Sequence, residues 1–275
     1  MTGIASSAPA RVLSIAGSDS GGGAGIQADI KTLTALECFA MTAITAITVQ
    51  DTTGVYGVHP VPLNIIEDQI GRVLSDIGAD AIKIGMLGSA DIVTTVASAL
   101  DAYPDIPLVL DTVMFAKGGV ALLDQGGVNA LKTHLMRRAD LVTPNAPEAE
   151  ALAGMRVETV DDLIQAGQAL IALGAKAALV KGGHLTGPLV TDALVTAYDV
   201  HLFESWRLDS RSTHGTGCTL ASACAAGIAQ GLELYDAVAR AHRYVQDAIR
   251  TAPGFGHGTG PLNHMHPFIR DGMSS

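Results

Sequence analysis

Short, largely apolar runs alternate with longer helix-length stretches, and this order constrains the fold of the chain more than any other feature. Residues 12–16, 43–49, 81–84, 108–111, 141–143 and 177–181 read as strands rich in Ala, Val, Ile and Leu. A strand without polar alternation is covered on both faces, which is the habit of parallel sheets. Residues 24–36, 62–78, 89–103, 126–138 and 160–173 have the length and spacing of helices. Their βαβα succession predicts an α/β fold, a doubly wound and mainly parallel sheet with helices on both faces.

After residue 181 the pattern changes. Residues 192–197 and 201–208 flank a short polar connection and suit a hairpin at the sheet edge, and helices are expected over 217–230 and 234–251. The segment 253–275 shows no strong period. A single domain is expected over 11–266, with a flexible N-terminal tail at 1–10 and a C-terminal tail at 267–275.

Composition narrows the function classes. With 48% apolar and 16% charged residues among 275, the chain can bury a large core and is not globally disordered. Mean hydropathy is +0.33, yet no apolar run reaches the roughly 18 residues that span a bilayer. No membrane partner is expected, and residues 1–10 lack the pattern of a secretory signal, so a cytoplasmic location is expected. A net charge of −10 without a Lys/Arg cluster disfavours nucleic acid. Cys38, Cys218 and Cys224 have no Cys-x-x-Cys spacing, so neither a disulfide framework nor a zinc site is indicated.

In a doubly wound sheet, ligands bind beyond the carboxyl ends of the strands. The unusual residues collect there: the Gly-rich segment 17–25, Gln50-Asp51, Gly85-Met86, Asp111, Asn145 and Gly182-Gly183. Within the first segment, Gly23-Ala24-Gly25-Ile26-Gln27-Ala28 fits Gly-x-Gly-x-x-Ala, with Asp51 near the place of a ribose-binding acid, so a nicotinamide enzyme is a rival. Against it, the glycines follow five further loop residues, and Asp29 sits inside the helix. No Walker-type Gly-x-x-x-x-Gly-Lys occurs.

The strongest phosphate candidate is His214-Gly215-Thr216-Gly217-Cys218, which opens an apolar helix. Helix N-termini expose unpaired N–H groups that attract anions and stabilise a thiolate. Asn145-Ala146-Pro147-Glu148 opens another helix. Its Asn and Glu suit a hydrated Mg²⁺ bridging phosphates, although taken alone the stretch reads more readily as a capping box.

Seven stretches, in one order, carry a resemblance: Ala16-Gly17-Ser18-Asp19, 22–29, Lys83-Ile84-Gly85-Met86-Leu87, 110–114, 143–149, Val180-Lys181-Gly182-Gly183-His184 and 213–219. From about residue 11 to 266 the chain resembles the bacterial hydroxymethylpyrimidine/phosphomethylpyrimidine kinases of thiamine biosynthesis, a branch of the ribokinase-like superfamily. The resemblance implies phosphorylation of 4-amino-5-hydroxymethyl-2-methylpyrimidine by ATP, then of its monophosphate to the diphosphate, by a homodimer. It implies that Asp29 and Gln50 bind the pyrimidine, with Gly17, Ala24 and Met86 as walls. A carboxylate and a carboxamide together match an aminopyrimidine edge.

By the same resemblance, Asn145 and Glu148 act near Mg²⁺ and the phosphates, Asp111 joins through water, and Lys181, Gly182 and Gly183 lie along ATP. Most of the superfamily has Asp after Gly-x-Gly, whereas the pyrimidine kinases, like this chain, have Cys. Cys218 is then the base, with its pKa lowered by the helix N-terminus. The backbone of Gly215, Thr216 and Gly217 would hold the transferring phosphoryl group. One departure stands out: Ser20 and Gly21 replace the family's Pro and Ser, which implies a looser loop. Pyridoxal kinase, with a similar hydroxymethyl ring, and a non-catalytic pyrimidine binder on the same fold are the alternatives.

Overall fold

The computed structural model describes residues 8–115 and 121–268. The expected tails, 1–10 and 267–275, lie outside these residues except for 8–10 and 267–268. Nine strands form one sheet: β1 (Arg11–Ser18), β2 (Phe39–Gln50), β3 (Val55–Pro60), β4 (Ala81–Ile84), β5 (Leu108–Leu110), β6 (Leu141–Val142), β7 (Ala177–Val180), β8 (Leu189–Thr196) and β9 (Val200–Trp206), in the order β3-β2-β1-β4-β5-β6-β7-β8-β9.

Strands β2, β1, β4, β5, β6 and β7 run parallel, while β3 at one end and β8 at the other run against them, and β9 pairs antiparallel to β8 at the edge. The short central strands are buried at every position, as their largely apolar sequences require, and β4 buries Lys83 with the rest. Strand β3 was not expected from the sequence. Its Val55-Tyr56-Gly57-Val58-His59-Pro60 is mostly exposed and ends in proline, which suits an edge strand and hides it from a search for buried runs.

Helices cover both faces. Helices α1 (Gly25–Ala35), α7 (Thr216–Ala229) and α8 (Leu234–Arg250) share one core with Val12, Val109, Leu141 and Leu179. On the other face, α2 (Leu63–Asp76), α3 (Ala90–Leu100), α4 (Gln125–Ala130), α5 (Ala146–Ala153) and α6 (Val160–Ala172) pack on Leu13, Ile15, Ile82, Ile84 and Leu110. The helix expected over 126–138 is broken: α4 gives way to a π turn at Leu131–Leu135 and a 3-10 turn at Met136–Arg138. A wider turn brings position i+5 towards the face of position i, and Leu131, Leu135 and Met136 are all buried.

The chain passes from β1 to β2 on one side and, after β3, returns to β4 on the other side of β1. That reversal between β1 and β4 is the topological switch point, where such sheets bind ligands. Gly17 and Ser18 end β1 there, and Gly85 and Met86 follow β4.

Candidate active site

At the carboxyl end of β1, the loop leading to α1 folds around Asp19. This buried carboxylate accepts the N–H of Gly21 on Oδ1 (2.8 Å) and those of Gly23 and Ala24 on Oδ2 (3.0 and 2.8 Å). His214 Nε2 lies 2.9 Å from the same Oδ2 and 3.2 Å from Gln50 Nε2. Burial opposes the charge on Asp19, but His214 and the loop N–H groups outweigh it and hold the carboxyl below its usual range. Asp19 thus ties the β1 loop to the segment before α7 and to the end of β2.

Helix α7 begins in the way its sequence requires. Gly215 adopts φ 81°, and a Cβ there would overlap the Gly23 carbonyl. The helical ladder starts with Thr219 N–H donating to Gly215 O (2.9 Å), so the N–H groups of Thr216, Gly217 and Cys218 precede it at the positive end of the helix. A Cβ on Gly217 would stand 3.2 Å from Lys181 Nζ and 3.7 Å from Asp111 Oδ2. Glycine at 217 therefore opens the helix start towards an ion pair from β5 and β7.

In that pair, Lys181 Nζ donates to Asp111 Oδ1 at 3.1 Å, and Thr143 Oγ1 donates to the same oxygen at 3.0 Å. Asp111 Oδ2 is buried without a hydrogen-bond partner among the described residues. Burial disfavours the Lys181 ammonium, but Asp111 and then Glu148 outweigh it and raise its pKa. Glu148 is itself buried, and burial pushes its carboxyl up against the pull of Lys181. Its oxygens accept from Thr112 Oγ1, Asn145 N and Met114 N, while Asn145 Oδ1 accepts from Glu148 N. Asn145 and Glu148 thus form a capping box, and its carboxylate also faces the cavity.

Two cavities, of about 660 and 720 Å³, meet at these residues. The first is walled by Gly17, Ala24, Gln50, Met86, Cys218 and His214, together with Asp111 and Glu148. The second runs from Gly183 past Val190, Trp206 and Leu208 to Val245 and Ile249. Asn145, Lys181, Thr216 and Gly217 line both, so the start of α7 is the partition between two ligand-sized spaces.

Of the residues picked from the sequence, Gly17, Ala24, Gln50, Met86, Asp111, Asn145, Glu148, Lys181, Gly215, Thr216, Gly217 and Cys218 are brought to the first cavity and Gly183 to the second. Asp29 is not on either wall. It is fully buried, with Ser14 Oγ, Ser222 Oγ and Lys83 Nζ filling the acceptor sites of both oxygens (2.6 to 3.0 Å), so its carboxylate supports the floor instead of meeting a ring. Gly182 also lines neither cavity. Its N–H donates to Asp192 Oδ1 (2.9 Å) and a Cβ would overlap the Thr191 carbonyl, so it is glycine for packing against β8.

Two further expectations are corrected. Desolvation of the partly buried Cys218 pushes its thiol up to about 12, although Lys83 pulls it down, a shift opposite in direction to the one expected from the helix N-terminus. The β1 loop is also not loose at Ser20. Its hydroxyl donates to Gln50 O (2.7 Å) and accepts from Gln50 N (2.9 Å), stitching the loop to β2 in place of a proline. Asp51, the ribose acid of the dinucleotide rival, closes its own turn on Thr53 and Gly54 and lines neither cavity. Asp19 and His214 lie within motifs quoted from the sequence but were given no role of their own; for Asp19 the available signal was one Asp followed closely by Gly21 and Gly23, whose N–H groups it gathers.

A family model described as phosphomethylpyrimidine kinase matches residues 19–263. The chain belongs to this family. The hydroxymethylpyrimidine/phosphomethylpyrimidine kinase of Bacillus subtilis is 44% identical over 96% of this chain and 98% of its own length. The thiamine biosynthesis bifunctional protein of Geobacter sulfurreducens is 48% identical over 92% of this chain, which spans only 52% of that longer relative.

Among solved structures, the phosphomethylpyrimidine kinase from Clostridium difficile is 40% identical with a TM-score of 0.79, covering 87% of this chain and 99% of that one. The pyridoxal kinase of Bacillus subtilis, solved as an ADP complex, is 34% identical with a TM-score of 0.87, covering 94% and 98%. The chain is thus similar in fold to both a pyrimidine kinase and a pyridoxal kinase. Among the described residues, no helix is long and apolar enough to cross a membrane.

Proposed function

We propose that the protein is an ATP-dependent hydroxymethylpyrimidine/phosphomethylpyrimidine kinase of thiamine biosynthesis, phosphorylating 4-amino-5-hydroxymethyl-2-methylpyrimidine and then its monophosphate. The observation that carries this reading is the partition: two cavities meet at Thr216 and Gly217, where the side of a helix start left open by glycine lies against Lys181 and Asp111. Phosphoryl transfer needs two ligands in line across a site rich in fixed positive dipoles, and little covalent chemistry from the protein.

The pyrimidine occupies the cavity of Gly17, Gln50 and Met86, with its hydroxymethyl group towards Cys218. ATP lies along Gly183 and the apolar wall of Trp206 and Leu208. The N–H groups of Thr216, Gly217 and Cys218, with Lys181, hold the oxygens of the moving phosphoryl group as charge spreads over them. Cys218 takes the hydroxyl proton. Only the thiolate form of Cys218 can take that proton, and a loose transition state, in which the hydroxyl keeps its proton until late, asks little of it, so a small thiolate fraction serves.

Mg²⁺ fits this donor set in the manner usual for the ion, through one or two carboxylates, water and phosphates instead of a protein cage. Among the described residues no cluster of three or more ligating side chains exists, whereas Asp111 Oδ2 is a buried acceptor with no partner. Asp111, with Glu148 through water, would hold the ion, which supplies charge neutralisation between the phosphates.

The higher fold similarity to pyridoxal kinases favours a second reading, a pyridoxal kinase, since both rings carry a hydroxymethyl group. Turnover of ATP with the pyrimidine, its monophosphate and pyridoxal, each with and without Mg²⁺, tests both. We expect kcat/KM to be highest for the pyrimidine and to require Mg²⁺; a strong preference for pyridoxal overturns the first reading. We also read the enzyme as a cytoplasmic homodimer, covering the exposed Ile47, Val49, Tyr56 and Val58 of β2 and β3 with a second copy, which sedimentation measures directly.

A further inference from the structure

The Gln50 carboxamide lies between two polar groups whose hydrogens decide which way it points. Asp19 Oδ2 already accepts the N–H groups of Gly23 and Ala24, so it is an acceptor, and His214 Nε2 at 2.9 Å must carry a proton to bond it. Placed with Nε2 3.2 Å from that imidazole nitrogen, the Gln50 amide sets donor against donor. At its other end, Thr48 Oγ1 lies 3.3 Å from Gln50 Oε1 but has a single proton, which goes to Ser18 O at 2.8 Å. That contact then sets acceptor against acceptor.

Turning the carboxamide by half a revolution resolves both conflicts at once. Gln50 Oε1 then shares the single Nε2 proton of His214 with Asp19 Oδ2 in a three-centre bond, and Gln50 Nε2 donates to Thr48 Oγ1. One lone pair of the oxygen and one N–H remain, and Gln50 lines the cavity.

We propose that His214, oriented by Asp19, is a positioning residue that locks the Gln50 carboxamide so that it offers the cavity one acceptor and one donor in fixed order. The inference rests on the kinase reading for the identity of the ring but concerns what that ring must present. A 4-aminopyrimidine supplies the complement, an exocyclic N–H beside a ring nitrogen, just as a carboxamide pairs with the amino edge of adenine. A 4-oxopyrimidine presents the reverse order, ring N–H beside C=O, and meets the locked amide donor to donor. A pyridoxal ring has no amine next to its nitrogen and satisfies only the donor. His214 and Thr48 thereby choose the aminopyrimidine class although neither needs to touch the ring.

The test is calorimetric titration, without ATP, of the 4-amino and 4-oxo forms of 5-hydroxymethyl-2-methylpyrimidine. A good bidentate pair discriminates by about 1–3 kcal/mol, so the wild-type protein should prefer the amino form by roughly 5- to 150-fold. His214→Phe keeps a ring against Gly23 but gives the amide freedom to turn. Its preference should fall below about threefold, chiefly through tighter binding of the oxo form, a gain that mere structural damage does not produce. Should His214→Phe fail to fold, Thr48→Val removes the other anchor and should erode the preference in the same direction.

An unchanged preference in the variant that folds, or a wild-type preference below threefold, overturns the proposal. Selective binding without ATP turnover would overturn the kinase reading and keep this one. Equal binding of both rings with brisk turnover would do the reverse, and binding of neither overturns both.

Discussion

Lys181 and Asp111 form an ion pair across the partition between the two cavities, Nζ to Oδ1 at 3.1 Å, while the second Asp111 oxygen is buried without a partner among the described residues. One half of the carboxylate fixes the ammonium beside Gly217, and the other half is aimed at whatever crosses the partition. A buried acceptor that the protein leaves unbonded costs stability, so its retention marks a place where a ligand completes the bonding.

For Asp111→Asn, the charge opposite Lys181 is lost while the shape is kept. We expect activity at saturating substrate to fall about 10- to 100-fold and the Mg²⁺ concentration for half-maximal rate to rise, the range usual for groups that orient a metal. Titrating the rate against Mg²⁺ at fixed ATP checks this. An unchanged Mg²⁺ dependence would remove Asp111 from the ion's surroundings.

Cys218 gives a prediction with a pH sign. A group held near pKa 12 is thiolate in about one molecule in 10⁵ at pH 7, and that fraction grows tenfold per pH unit until the pKa is reached. If the thiolate receives the proton, kcat/KM should climb between pH 7 and 9. Cys218→Ala should lower kcat by about 10² to 10⁴ and abolish the climb. A variant retaining more than a third of the wild-type rate would place the base elsewhere.

Ser20→Ala separates loop order from chemistry. The hydroxyl makes two bonds to the Gln50 backbone, each worth about 0.5–1.5 kcal/mol. Losing them should raise KM for the pyrimidine several-fold while kcat changes less than twofold. Steady-state kinetics decide, and an equal fall in both parameters would show that the loop acts on the transition state instead.

The central strands and most of the cavity walls were legible in the sequence because one physical signal carried each. Unbroken apolar runs marked β5 and β7 and a largely apolar one marked β4, and glycines next to chemistry marked both loops at the switch point. What escaped was set by tertiary contacts. The exposed β3 pairs with β2 without any apolar run of its own, and Gly182 looks like a phosphate glycine although its neighbour is the Thr191 carbonyl. Asp29 sits in the expected motif, yet only the fold brings Lys83, from a strand 54 residues away, to its carboxylate. The thiol of Cys218 likewise takes its pKa from burial, which spacing along the chain does not reveal.

The Asp29–Lys83 pair beneath the first cavity yields a stability prediction. Both side chains are fully buried, with Nζ 2.9 Å from Oδ2, and burial of the ammonium is outweighed by Asp29, so the lysine pKa is raised. Removing one partner strands the other charge in a dry interior, a loss of about 3–5 kcal/mol. Asp29→Ala should therefore lower the urea midpoint far more than a surface change does. Replacing both partners, as Asp29→Leu with Lys83→Met, removes both charges and should recover much of that loss, because an apolar pair of similar volume carries no desolvation cost. Ser14 and Ser222 would then lose their acceptor, which limits the recovery. If the double variant is as unstable as Asp29→Ala, the pair matters for its hydrogen bonds to the two serines and not for charge balance.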